Sequence, residues 1–187
     1  MKRGWQWCSP ANGISGTSMG RWVIPLVALP VLALDQVTKV AVVFGLDLAN
    51  RGEIDVWSPF LVFRMAWNYG MNFGLLAQDS GMARMVLIGL AVVISAWVWI
   101  WVRREKSGFL AEAAAGLLIG GAAGNVIDRL MYGAVADFLN MSCCGIDNPF
   151  AFNVADVAIF LGAVGLVLFT NFAGGKTASP DKPRRKS

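Results

Sequence analysis

The chain has 187 residues, of which 56% are hydrophobic and only 15% charged, with a formal net charge of +4 and a mean hydropathy of +0.56. Soluble domains carry about 25% charged and about 45–50% apolar residues, so this composition excludes a disordered chain and points to an integral membrane protein built as one compact unit. Histidine is absent, which removes Ser-His-Asp and Cys-His catalysis, the His-Glu-x-x-His zinc site and haem ligation by histidine together.

A helix needs about 20 apolar residues to cross a hydrocarbon core of about 30 Å. Four stretches meet that length: 22–44, 83–102, 109–131 and 153–172. The expected fold is therefore an all-α membrane protein with four transmembrane helices. Residues 1–21 form a polar leader with no small-x-small pattern after Leu34, so the first helix is expected to be retained. The segment 45–82 forms an outer loop. Its run Phe60-Leu61-Val62-Phe63-Arg64-Met65-Ala66-Trp67, bounded by Pro59 and Asn68, reads as a strand in a small β-sheet cradle between helices 1 and 2.

The second span clusters Trp97, Trp99 and Trp101, residues suited to a membrane–water interface. The third is rich in Ala and Gly, which lets neighbouring helices approach closely. A second outer loop, 132–152, carries Cys143-Cys144, which is no metal motif. The tail 173–187 is rich in Pro and Lys and reads as disordered.

Orientation follows from the basic residues outside the spans. Lys2, Arg3, Arg21, Arg103, Arg104, Lys106 and the five Lys and Arg of the tail fall on one side. Only Arg51, Arg64 and the boundary residue Arg84 fall on the other. Both termini are expected in the cytoplasm, and the basic balance reflects topology and lipid contact, not nucleic-acid binding.

Ionisable residues within spans cost roughly 2.5–3.5 kcal/mol each at a helix centre on insertion scales, so they are functional candidates by default. In Asp35-Gln36-Val37-Thr38-Lys39, Asp35 and Lys39 stand at i,i+4 on one helix face, where they can neutralise each other. In Gly120-Gly121-Ala122-Ala123-Gly124-Asn125-Val126-Ile127-Asp128-Arg129, the residues Asn125, Asp128 and Arg129 share a face. Asp128 suits a bundle contact, and Arg129 suits that role or a grip on a substrate carbonyl or phosphate. Asp137 follows at the outer boundary.

Asp156 opens the fourth span in Phe152-Asn153-Val154-Ala155-Asp156, three residues after Asn153. A short outer connection returns the two aspartates to one depth. There they either share a proton and activate water or serve as interface residues. Asn68-Tyr69-Gly70-Met71-Asn72-Phe73-Gly74 offers amides to an extended peptide, or a polar turn.

Five pieces in this order, DQVTK at 35–39, NYGMNFG at 68–74, GGAAGNVIDR at 120–129, VADF at 135–138 and FNVAD at 152–156, resemble the prolipoprotein signal peptidase family, bacterial signal peptidase II. The resemblance covers about residues 22–172. It implies an aspartyl endopeptidase of the bacterial inner membrane that cuts diacylglyceryl-modified prolipoproteins before the modified cysteine, with no metal and no cofactor. Asp137 and Asp156 match its catalytic pair. Asn68, Asn125, Arg129 and Asn153 match positions lining its substrate groove. Asp35, Lys39, Gly70, Gly121, Gly124 and Asp128 match supporting positions. The family commonly has Ala where this chain has Asn72.

The implied partners are lipid-modified precursors and membrane lipid, the enzyme acting as a monomer with its site near the periplasmic face. Two rival readings remain open from the residues. A Ser/Thr-Lys peptidase would use Lys39, and a proton carrier would relay through Asp35, Asp128 and Asp156.

Overall fold

The computed structural model describes residues 22–57, 60–70, 80–105, 107–142 and 148–174. The expectations for the leader, the tail, Asn72 and the Cys143-Cys144 pair lie outside them. Helix α1 (Val23–Lys39) passes through Pro30 and continues as a π-helical segment, Val40–Gly45. A single turn, α2 (Leu48–Arg51), follows. Next come strands β1 (Glu53–Trp57) and β2 (Leu61–Asn68), helices α3 (Ser80–Arg104) and α4 (Phe109–Tyr132), strand β3 (Val135–Asn140) and helix α5 (Val154–Gly174).

Among the described residues three helical stretches are long and apolar enough to cross a membrane: Val23–Gly45, Gly81–Arg104 and Phe109–Tyr132. The fourth expected span is a shorter apolar helix, Val154–Thr170. Large apolar side chains cover the outward faces: Leu26, Leu29, Val86, Val93 and Phe160 are all exposed. A soluble protein rarely displays so much contiguous apolar surface. The helix core is made of small and branched residues, with Ile24, Val98, Val102, Ala114, Ala115, Leu118 and Leu166 buried together.

Helix α4 is central, packing against α1, α3 and α5. Its glycines explain the closeness: a side chain at Gly121 would meet the Ala155 carbonyl of α5, and one at Gly124 would meet the Asp35 carboxylate of α1. Neither position tolerates even a methyl group without displacing a neighbour.

The sheet has the order β1-β2-β3, and it corrects the expectation of a cradle confined to the loop between the first two spans. Its third strand, β3, comes from the connection between α4 and α5. In the sequence VADFLN nothing alternates, because both faces of this strand are covered: five of its six residues are buried. Phe138 packs edge-on against Phe63 at a centroid distance of 6.0 Å. Beneath them Val43, Leu48 and Ala136 close a second small core that fastens the sheet to the end of the first helix.

Candidate active site

Asp137 sits within β3, held from both sides. The register pairs Asn68 with Val135 and Ala66 with Asp137, so Asn68 and Asp137 are diagonal neighbours on one face of the sheet. Asn68 Nδ2 donates to Asp137 Oδ2 at 3.1 Å. Asn68 is thus the last residue of a strand, not part of the loop beyond it. Gly70 follows with φ +98°, and its N–H donates to Asn68 Oδ1 at 3.0 Å, which fixes the amide's orientation. On the other edge of β3, an isolated bridge joins Leu139 to Phe152. It delivers Asn153, whose Nδ2 donates to Asp137 Oδ1 at 2.6 Å.

Asn153 also starts α5. The Asp156 N–H donates to Asn153 Oδ1 at 2.9 Å, and the Asn153 N–H donates to Asp156 Oδ2 at 3.3 Å. This is a capping box with Asn and Asp in place of Ser and Glu, and it locks the Asp156 carboxylate onto the first turn of the helix. From α4, Asn125 Nδ2 donates to Asp156 Oδ1 at 2.8 Å. Asn125 Oδ1 accepts from Asn153 Nδ2 at 3.3 Å. Asn153 therefore touches both aspartates, although one lies on a strand and the other on a helix.

The two carboxylates do not share one environment. Asp137 is buried, with 3% exposure, whereas Asp156 is half-buried. Burial pushes the Asp137 carboxyl up to about 6, and the neighbouring Asp156 charge adds to the rise. Hydrogen bonds from Asn68 and Asn153 and the Lys39 charge oppose it. An acid poised this way and a more solvated partner are what a shared-proton pair requires.

The face that Asn125, Asp128 and Arg129 were expected to share is divided. Arg129 and Asn125 line a cavity of about 210 Å³ between α3, α4 and α5, walled by Leu87, Leu90, Ile94 and Ile159. Arg129 Nη1 donates to the Asn125 carbonyl at 3.3 Å, while its Nε is buried without a partner. Asp128 turns instead toward α1. Its Oδ2 lies 2.7 Å from Lys39 Nζ, which also pairs with Asp35 at 2.8 Å.

The i,i+4 pair read from the sequence is thus part of a triad. Gln36, which sequence reasoning passed over, donates Nε2 to Asp35 at 3.1 Å and to Asp128 at 3.0 Å. Its position beside Asp35 on an otherwise apolar helix was the available signal. The Thr38 hydroxyl is turned onto its own helix, 2.9 Å from the Leu34 and Asp35 carbonyls.

The family model for signal peptidase (SPase) II matches residues 27–172. A lipoprotein signal peptidase of Methylorubrum extorquens (strain PA1) is 41% identical over 143 residues, covering 76% of this chain and 82% of the relative. One from Azoarcus sp. (strain BH72) is 41% identical over 165 residues, covering 87% and 90%. Among solved structures, a bacterial membrane enzyme determined by the in meso method at 2.3 Å resolution superposes with a TM-score of 0.64 at 24% identity, covering 86% of this chain and 94% of that one. A second, at 1.9 Å resolution, gives 0.61 at 26% identity, covering 83% and 94%. With a family model spanning most of its length and relatives matched over most of theirs, the chain belongs to the signal peptidase II family.

Proposed function

We propose that the chain is an aspartyl endopeptidase of the bacterial inner membrane that removes the signal peptide from diacylglyceryl-modified prolipoproteins, cutting before the modified cysteine. The observation that carries this reading is the linkage of Asp137 and Asp156 through Asn153, with Asp137 raised to about 6. In this scheme Asp156 is ionised and takes a proton from water, while protonated Asp137 gives its proton to the scissile carbonyl oxygen. Asp156 then returns its proton to the departing amine as the carbon–nitrogen bond breaks, while Asp137 takes one back from a hydroxyl of the intermediate, which leaves a carboxylic acid and restores both side chains. Proton transfers of this kind contribute about 10²–10⁴-fold each.

The asparagines Asn68, Asn125 and Asn153 hold the two acids, and Arg129 supplies the groove with a cation. The unpartnered Arg129 Nε supports a role in gripping a substrate carbonyl, since a buried donor without an acceptor costs about 1–3 kcal/mol. The apolar cavity beneath it suits the signal helix or an acyl chain. Asp35, Lys39, Gly70, Gly121, Gly124 and Asp128 support the site.

Helix α5 completes the bundle as the fourth crossing, its apolar run Val154–Thr170 lying against α4. Residues 22–172 form the peptidase domain, acting as a monomer amid membrane lipid. Residues 1–21 and the tail 173–187 lie in the cytoplasm, and the sheet lies on the periplasmic side.

The test is cleavage of a diacylglyceryl-modified precursor by purified wild type, Asp137→Asn and Asp156→Asn, with thermal unfolding in detergent as the control. Both variants are expected to fold and to lose cleavage by at least about a hundredfold. Near-normal activity in either would remove the aspartate pair from the mechanism and make Lys39 the next residue to test.

A further inference from the structure

We propose that Lys39 is a positioning residue that sets the separation of the two reacting aspartates, by clamping together two carboxylates that each hold the main chain beside one of them. The inference rests on reading Asp137 and Asp156 as the reacting pair. Asp35 Oδ1 accepts the N–H of Ala155 at 2.9 Å, the residue immediately before Asp156. Asp128 Oδ2 accepts the N–H of Ala136 at 3.2 Å, the residue immediately before Asp137.

The Lys39 ammonium lies 2.8 Å from Asp35 and 2.7 Å from Asp128, and Gln36 bridges the same two carboxylates a second time. A continuous path therefore runs from the backbone at Asp137 through Asp128, Lys39 and Asp35 to the backbone at Asp156. The same strand and helix are also linked through the Leu139–Phe152 bridge and the asparagine contacts.

Two features separate this clamp from an ordinary helix–helix ion pair. One carboxylate would suffice to neutralise one ammonium, yet two are fully buried beside it, with Asp35 and Asp128 both at 0% exposure and Lys39 at 4%. An extra buried carboxylate is costly, and here each has a distinct main-chain N–H to hold. Lys39 Nζ also reaches Asn125 Oδ1 at 3.4 Å. An ammonium can only donate, so it selects the orientation in which Asn125 turns its Nδ2 toward Asp156. The same cation thus governs both the spacing of the acids and the amide that orients one of them.

The clamp predicts that changes in its length, with charge retained, affect chemistry more than binding or folding. Asp128→Glu keeps the ion pair but moves the acceptor by one methylene. The neutral triple Asp35→Asn, Lys39→Met, Asp128→Asn keeps acceptors for both N–H groups and removes the tie between them. Replacing all three members leaves no uncompensated buried charge, whereas removing one partner alone would.

Both proteins would be compared with wild type for unfolding in detergent, for kcat and KM on the lipid-modified precursor, and for the pH profile of kcat. The expected result is folding close to wild type, KM within about twofold, kcat lower by about a hundredfold as for a displacement of about 1 Å, and a shifted pH profile. If a folded variant keeps kcat within about twofold of wild type, or loses kcat and raises KM together with an unchanged pH profile, the proposal is overturned. If neither protein folds, the cluster holds the bundle and the clamp is also rejected. Asp137→Asn and Asp156→Asn run alongside as a reference. Activity in those would mean the reading of the reacting pair has failed, while their inactivity with active clamp variants would mean only the clamp has.

Discussion

Asp137 is a carboxylate that folding moves out of water and places beside a second one. Its folded value of about 6 lies above the usual 3.8, so between about pH 4 and pH 6 the folded protein keeps a proton that the unfolded chain has released. Stability contributed by this group is therefore present at low pH and declines as pH rises through that window. The full difference corresponds to about 3 kcal/mol at most. Asp137→Asn cannot titrate, so the stability of the variant relative to wild type should rise between pH 4 and pH 6 and then level off. Denaturant unfolding of both proteins in detergent across this range checks it, and a constant difference would mean that Asp137 is not raised. The same shift bears on chemistry: if protonated Asp137 is the acid, kcat/KM declines as pH rises through the apparent value of the pair.

At the scale of helices, close approach is what brings the Asp35 and Asp128 carboxylates within reach of one lysine. A methyl group at Gly124 would meet the Asp35 carboxylate, whereas one at Gly89 on α3 would meet nothing. Gly124→Ala should therefore destabilise by about 1–3 kcal/mol through overpacking. Gly89→Ala should instead gain about 0.5–1 kcal/mol from helix propensity. Unfolding of the two variants in one detergent checks the opposite signs, and a neutral Gly124→Ala would mean α1 and α4 can separate without loss. The helices themselves were legible in the sequence, because a run of apolar residues of the right length has few other fates. The strand over 60–67 was legible from its β-branched and aromatic content, and the structure moves it by one residue. Strand β3 was not legible. Its residues are buried on both faces, so the period of two that marks a half-exposed strand is missing. The i,i+4 pairing of Asp35 with Lys39 and the shared start of α5 by Asn153 and Asp156 are local and could be read from spacing. The partnership of Lys39 with Asp128, and of Asn68 with Asp137, joins residues 89 and 69 positions apart, and no local pattern encodes it.

The whole molecule is polarised along its helices. The sheet, with Arg51 and with Arg64 paired to Glu53 at 2.9 Å, lies at one end. The turn between α3 and α4, with Arg103 and Arg104, lies at the other, where Arg103 stands 3.9 Å from Glu112. Cytoplasmic loops retain Lys and Arg because translocating them is unfavourable, so the end bearing Arg103 and Arg104 should face the cytoplasm and the sheet should face the periplasm. That orientation matters to the proposed chemistry. The asparagines and aspartates belong to the sheet end, and a lipid-modified precursor presents its cleavage region at the outer surface once its signal helix is inserted. Asp55 and Glu105 are exposed at opposite ends, which makes them suitable reporters. In a background with Cys8, Cys143 and Cys144 replaced by Ser, a membrane-impermeant maleimide added to intact spheroplasts should label Asp55→Cys and spare Glu105→Cys until the membrane is opened. The reverse pattern would put the aspartates on the cytoplasmic side and overturn the assignment of the outer surface as the place of cleavage, while leaving the geometry of the pair untouched.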